Sequence, residues 1–272
     1  MYPPRFAALA LLIGLTAGAE VGAEPLEIGD LVLELETLED MSQRLMLGGR
    51  VISADDRIHP GEQMALADGF VRVLNVGSGG SACSGGLQVL WAKGTEVTAS
   101  EKTDPCLYPE VIHRGDALEL RVKPQPALPG QGWRWTPATG LEPLEDKEFS
   151  PEPGQGWEAF AAFAESHPID MLGFAPVYAQ FKAEMSDEHF DTLAVTLNEL
   201  GSGKSRPEGY VGEACAKWEC DARFGHLWVD VAKRRAYAFW RADDQEFASP
   251  LPLESWPQWV VLDAAEKLAA RE

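Results

Sequence analysis

Across residues 26–123, apolar and polar positions alternate with a period of two, the repeat of strands with one buried and one wet face. Leu118, Leu120 and Val122 alternate with Glu119, Arg121 and Lys123, and the runs 31–36, 70–76 and 87–92 read the same way. Turn-forming pairs such as Asp68-Gly69, Gly85-Gly86 and Lys93-Gly94 separate them. The pattern predicts a mainly antiparallel β domain over residues 24–145. Between residues 124 and 153 there are seven prolines and no sustained repeat, which places a linker at 146–155.

The period then changes. Trp157, Phe160 and Phe163 mark one helix, and Val177, Phe181 and Met185 a second. Ser186 reads as an N-cap, with Asp187 and Glu188 in the first turn and the stripe Phe190, Leu193, Leu197 and Leu200 behind it; Gly201 reads as the stop. After Pro207 the alternation returns. Leu227, Val229 and Val231 interleave with His226, Trp228 and Asp230, and a basic turn, Lys233-Arg234-Arg235, leads into a second strand. A helix over 262–270 closes the chain. Residues 156–272 are therefore expected to form an α+β domain with an antiparallel sheet and flanking helices.

The first 23 residues do not fit this scheme. Arg5 precedes an apolar run over 6–15, and Ala17-Gly18-Ala19 and Val21-Gly22-Ala23 each satisfy the small-x-small rule. The run is shorter than the roughly 20 residues a membrane span requires. Residues 1–23 are expected to be a signal peptide cleaved after Ala19 or Ala23, which places the protein in the periplasm with no membrane span. In that oxidising compartment four cysteines pair. Of three connectivities, Cys83 with Cys106 and Cys215 with Cys220 is the economical one.

The chain carries a net charge of −20. The excess is spread over both halves: residues 24–150 and 151–272 each hold 21 acids and 11 bases. Such a charge disfavours nucleic acid and draws cationic partners from solution. Solubility alone would also account for it.

Two motifs resemble catalytic ones and fail on context. Gly201-Ser-Gly-Lys-Ser205 lacks the first glycine of a phosphate loop, where Asn198 stands, and it follows a helix; a flexible glycine-serine turn is the simpler account. Ser78 and Ser81 miss the Gly-x-Ser-x-Gly spacing of a nucleophile elbow, so that stretch reads as a wide turn stapled at Cys83. His59, His113, His167, His189 and His226 are scattered with no paired-ligand spacing. No catalytic residue, metal or cofactor is expected.

The segment Gly209-Tyr-Val-Gly-Glu-Ala-Cys-Ala-Lys-Trp-Glu-Cys220 is the most informative. A bridge between Cys215 and Cys220 closes too small a ring to stabilise much through loop entropy, and instead fixes the shape of Ala216, Lys217, Trp218 and Glu219. A rigid loop loses little entropy on entering a cleft, and Trp is favoured at binding hot spots. The plainer account is a stapled connection with Trp218 folded back.

This segment, with the hairpin and basic turn that follow it and the closing segment 259–270, resembles the inhibitor of vertebrate lysozyme family over residues 155–272. Members of that family are periplasmic proteins of Gram-negative bacteria that block C-type lysozymes. The resemblance implies a small α+β fold, a homodimer, and insertion of the disulfide ring into the lysozyme cleft. The family ring reads Cys-Lys-Pro-His-Asp-Cys, and its histidine meets the two catalytic carboxylates of lysozyme. Here Trp218 stands at the histidine and Glu219 at the aspartate. Indole donates one hydrogen bond and carries no charge, so it cannot bridge two carboxylates. Lys217 would offer the cation and Trp218 would stack on a sugar subsite.

No family is recognised for residues 24–145 from the sequence. The reading is a non-enzymatic, periplasmic protein-binding module, directed at a cationic protein such as a C-type lysozyme. A non-inhibitory envelope scaffold or sensor of the same fold is the alternative, and a hydrolase assembled across both halves is a third.

Overall fold

The computed structural model describes residues 24–77, 85–103, 109–217 and 219–269. The expected leader, the turn over 78–81, Cys83, Cys106 and Trp218 lie outside the described residues.

The N-terminal half is built from three four-stranded antiparallel sheets. The first comprises Glu24–Ile28 (β1), Leu31–Thr37 (β2), Gln43–Leu47 (β3) and Arg50–Asp55 (β4). The second comprises Ile58–Leu66 (β5), Gly69–Val76 (β6), Gly86–Lys93 (β7) and Glu96–Lys102 (β8). The third comprises Glu110–Arg114 (β9), Ala117–Arg121 (β10), Gly132–Thr136 (β11) and Gly140–Pro143 (β12). The middle sheet is covered on both faces. Leu74, Val76, Leu90 and Ala92 pack on Leu26, Ile28, Leu33 and Leu45 of the first sheet. Their neighbours Val71, Val73, Val89 and Trp91 point the other way, onto Leu118, Leu120 and Trp135 of the third.

Two expectations change here. β7 is buried on both faces up to Lys93, and β6 is wet only around Phe70, because a second sheet covers most of what would have been the wet face. The proline-rich stretch also contributes β11 and β12, which the pattern did not predict. Pro137 follows β11, and Pro143 ends β12 at the sheet edge, where a missing N–H costs no ladder bond.

Residues 144–156 run along the helical part of the C-terminal half. The Phe149 ring lies 5.4 Å from that of Tyr178, and Gln155 Oε1 accepts from the Ala175 N–H at 3.1 Å. The helices are Pro168–Leu172 (α1), Ala175–Glu184 (α2) and Asp187–Leu197 (α3). The expected first helix is a single 3-10 segment, Trp157–Ala162, whose aromatic side chains close on Phe174 together with Phe163. Ser186 caps α3 as expected, its Oγ accepting from the His189 N–H at 3.3 Å.

His167 caps α1, its Nδ1 accepting from the Ile169 N–H. Burial holds this imidazole below the ordinary histidine pKa, with the Asp170 charge and the Glu199 carbonyl only partly opposing it. Its protonation therefore favours the unfolded chain: the neutral form's contribution is complete above the ordinary histidine pKa and is lost as pH falls through it towards the folded value. His167→Asn keeps a capping side chain and removes the titration. Urea unfolding at neutral and mildly acidic pH should show a smaller acid-induced loss in the variant than in the parent.

Five antiparallel strands complete the fold: Leu200–Arg206 (β13), Gly209–Cys215 (β14), Phe224–Asp230 (β15), Arg235–Ala242 (β16) and Gln245–Ser249 (β17), in that spatial order. Gln258–Ala269 (α4) follows. The helix stripe ends at Leu197 with Asn198 as the cap, so Leu200 and Gly201 belong to β13 and not to α3. The expected flexible turn Gly201–Ser205 is thus an edge strand. Its glycines serve close approach: a Cβ on Gly203 would stand 2.1 Å from both the Ser166 carbonyl oxygen and the Tyr210 hydroxyl.

β15 is buried along its whole length, against the expected wet face. Leu227 and Val229 face α1–α3 with Phe181, Phe190 and Leu197. Trp228 faces the other way, with Val211, Tyr237, Trp256 and Val260 of α4. The helices sit on both sides of the sheet, so both sets of β15 side chains leave water. The chain is thus α+β, with an antiparallel β half followed by a sheet flanked by helices.

Candidate protein-binding loop

The β14–β15 ladder closes at the pair Cys215↔Phe224, and residues 216–223 form the connection. Two backbone features shape it. The Ala216 N–H donates to the Arg223 carbonyl at 3.0 Å, which extends the ladder by one bond. The Glu219 N–H then returns to the Ala216 carbonyl at 3.1 Å, and the Ala222 and Arg223 N–H groups both reach the Glu219 carbonyl at 2.9 Å. Cys215 and Cys220 are joined by a disulfide, with Cα atoms 4.8 Å apart. The connection is therefore fixed twice, by hydrogen bonds along its base and by a covalent bond across its tip.

Of the predicted ring residues, Ala216 is 8% exposed and packs inward. Lys217 is half-buried and Glu219 is exposed. The flanks are charged and tied down: Arg223 reaches Glu199 at 3.6 Å, and Arg241 donates to the Asp221 carbonyl at 3.2 Å.

Beside the ring lies a polar trough of about 560 Å³. One wall carries Lys204 and Arg206 of β13, the other Asp263, Glu266 and Lys267 of α4, with Glu213, Asp221 and His226 between them. Three hydrogen bonds hold α4 to the sheet, together with an ion pair between Arg206 and Asp263 at 3.8 Å. The Trp228 Nε1–H donates to Asp263 at 2.8 Å, the Trp259 Nε1–H donates to Asp230 at 3.1 Å, and Lys267 pairs with Glu213. The hydrogen bond from Lys267 holds the Glu213 carboxyl below its ordinary pKa, although partial burial works the other way. His226 is 1% exposed, with the rings of Phe224 and Trp228 each 5.6 Å away.

The sequence pattern missed this trough. Its residues come from four separate elements, and the period of each reports only its own alternation. Among the described residues no group of three or more His, Cys, Asp or Glu side chains is arranged to hold a metal. No described helix is long and apolar enough to cross a membrane.

An antiparallel sheet with helices, carrying a disulfide ring between Cys215 and Cys220, agrees with the small α+β fold that the family resemblance implies. Residues 176–270 match the inhibitor of vertebrate lysozyme family. This inhibitor-like module takes in α2, α3, the whole five-stranded sheet, the ring and α4. The family comprises periplasmic inhibitors and not enzymes, and its partners are lysozymes, so a protein partner is the general expectation for such a module. Residues 30–147 match a second family model, the Y4bG N-terminal domain, which takes in β2 to β12, so the first half does resemble a family although its sequence suggested none. The uncharacterized protein y4bG of Sinorhizobium fredii (strain NBRC 101917 / NGR234) is 28% identical over 220 residues, which cover 77% of this chain and 80% of the relative. An alignment of that length takes in parts of both halves. No solved structure matches the chain.

Proposed function

We propose that this is an exported, periplasmic protein whose C-terminal module, residues 156–272, presents the Cys215–Cys220 ring to the cleft of a cationic lysozyme. The observation that carries this reading is the ring itself: a covalently closed tip, at the end of the β14–β15 hairpin, within the segment that matches the inhibitor family. A tip ordered before binding gives up little entropy on docking, so its few contacts count almost fully towards affinity. Lys217 supplies the cation that approaches the lysozyme carboxylates, and Trp218 supplies an apolar plane beside it. Glu219 and the −20 charge of the chain steer a basic partner towards the ring. Residues 24–145 form a separate β domain joined through 146–155, and the module acts as a homodimer.

The test is lysis of a cell-wall suspension by a C-type lysozyme, followed by turbidity, with and without the mature protein. Lysis should slow at about 1 µM protein, and the effect should weaken with added salt. Lys217→Ala should raise the concentration needed by roughly tenfold, equivalent to about 1.4 kcal/mol of binding. Unchanged lysis at about 10 µM, together with no complex at low ionic strength, would remove lysozyme as the partner.

A further inference from the structure

β17 is the last strand of its sheet. Its inner side pairs with β16 from Ala242↔Gln245 to Ala238↔Ser249, and among the described residues no backbone hydrogen bond crosses its outer side. A cleft of about 730 Å³ opens there. Trp240 and Phe247, which line it, belong to the core beneath α1–α3, whereas Phe239 and Ala248 belong to the core beneath α4. A cleft that takes in both faces of a sheet opens across its edge.

The surroundings define what would fit. The Trp240 and Phe247 rings stack at 5.2 Å, and Leu251 and Leu253 stand 72% and 46% exposed on the rim. Natural sheets cover or charge such edges, and an open one beside exposed leucines is a template for another strand. The charge around it is negative. Glu184 and Glu246 line the cleft, and exposed Asp187, Glu188, Asp243 and Asp244 flank it. Three of these carboxylates are paired, Glu184 with Arg235 at 2.6 Å, Glu246 with Arg241 at 3.9 Å and Asp187 with Lys182, so the excess negative charge among the described residues comes from Glu188, Asp243 and Asp244.

We propose that this edge is a second docking site, which takes an extended cationic peptide segment with an apolar side chain as a sixth strand of the sheet. Main-chain hydrogen bonds to β17 would supply the general attraction, the leucine rim an apolar anchor, and the carboxylates the selection for lysine or arginine at alternate positions. A second copy of this chain fits poorly, because it would bring the same carboxylates and another −20 charge to the interface. The site uses no ring residue, so it can be tested apart from the lysozyme reading.

The probe is a fluorescein-labelled heptapeptide alternating lysine and leucine, titrated with the mature protein at low salt and followed by anisotropy. Saturable binding at about 10 µM is expected. Leu251→Asp combined with Glu246→Lys should weaken it at least roughly tenfold, with an unchanged circular dichroism spectrum, and Lys217→Ala should leave it unaltered. The peptide with glutamate for lysine, and the lysine peptide N-methylated at alternate amides, should not bind. Four results would overturn the proposal. These are no saturation up to about 1 mM, equal binding of the glutamate or N-methylated peptide, and full affinity in the double variant. The fourth is a dimer, seen by sedimentation, that Leu251→Asp dissociates, since the edge would then be covered by a second copy.

Discussion

Trp228→Ala should lower the unfolding free energy by about 4 kcal/mol, the middle of the range for emptying a fully buried aromatic site. Trp228 has no exposed surface and lies on the central strand. Its ring is 5.9 Å from that of Trp256, which in turn lies 5.5 Å from Tyr237, so removing the indole opens the whole α4-side core. Asp263 would also lose the donor that reaches it at 2.8 Å, leaving Arg206 at 3.8 Å as its remaining ion partner. Trp228→Phe separates the two terms: packing is largely kept, and the loss of the hydrogen bond should cost about 1–2 kcal/mol. Urea denaturation of the three proteins gives both numbers. Had Trp228 occupied a wet face, as its polar-phase position suggests, either change would stay within about 0.5 kcal/mol of zero.

Opening the ring should have the larger effect on function. Cys215→Ser with Cys220→Ser is expected to reduce lysozyme inhibition by at least roughly tenfold, because the tip must then be ordered at the moment of binding. The same change should cost the fold only about 2 kcal/mol, since the closed loop is short. Far-ultraviolet circular dichroism should be retained: the Ala216 N–H to Arg223 carbonyl bond and the Cys215↔Phe224 pair hold the base of the loop without the disulfide. A double variant that inhibits as well as the parent would show that the bridge is only a staple.

These two expectations mark where local pattern and three-dimensional burial part company. The Ser186 cap and the stripe Phe190, Leu193 and Leu197 were legible because a cap and its helix lie within one short stretch of chain. The strands around Val73, Val89 and Leu120 were legible for the same reason. β15 was read as a strand, but its exposure was not, because covering His226, Trp228 and Asp230 requires α4, more than 25 residues further on. Asp230 tolerates burial because it accepts from the Lys233 N–H at 2.8 Å and the Trp259 indole at 3.1 Å. Gly201 and Gly203 misled for a related reason. Glycine signals a turn when only neighbours in sequence are considered, whereas here it makes room for Ser166 and Tyr210.

The ring was visible as two cysteines five positions apart, and so were the charged and aromatic side chains between them. The trough beside it and the cleft at β17 were not, because each is assembled from elements scattered over the C-terminal half.

The sequence by itself determined that β2, β6, β7, β10, β15 and β16 are strands, where α3 begins, and which four residues the ring encloses, since each of these is decided by interactions within about ten residues. Only the tertiary structure decided which strand faces are dry, that a glycine-rich stretch is an edge strand, and that β17 is left open beside exposed leucines. Those outcomes depend on what packs against a residue from far along the chain, and periodicity within one element carries no record of its neighbours.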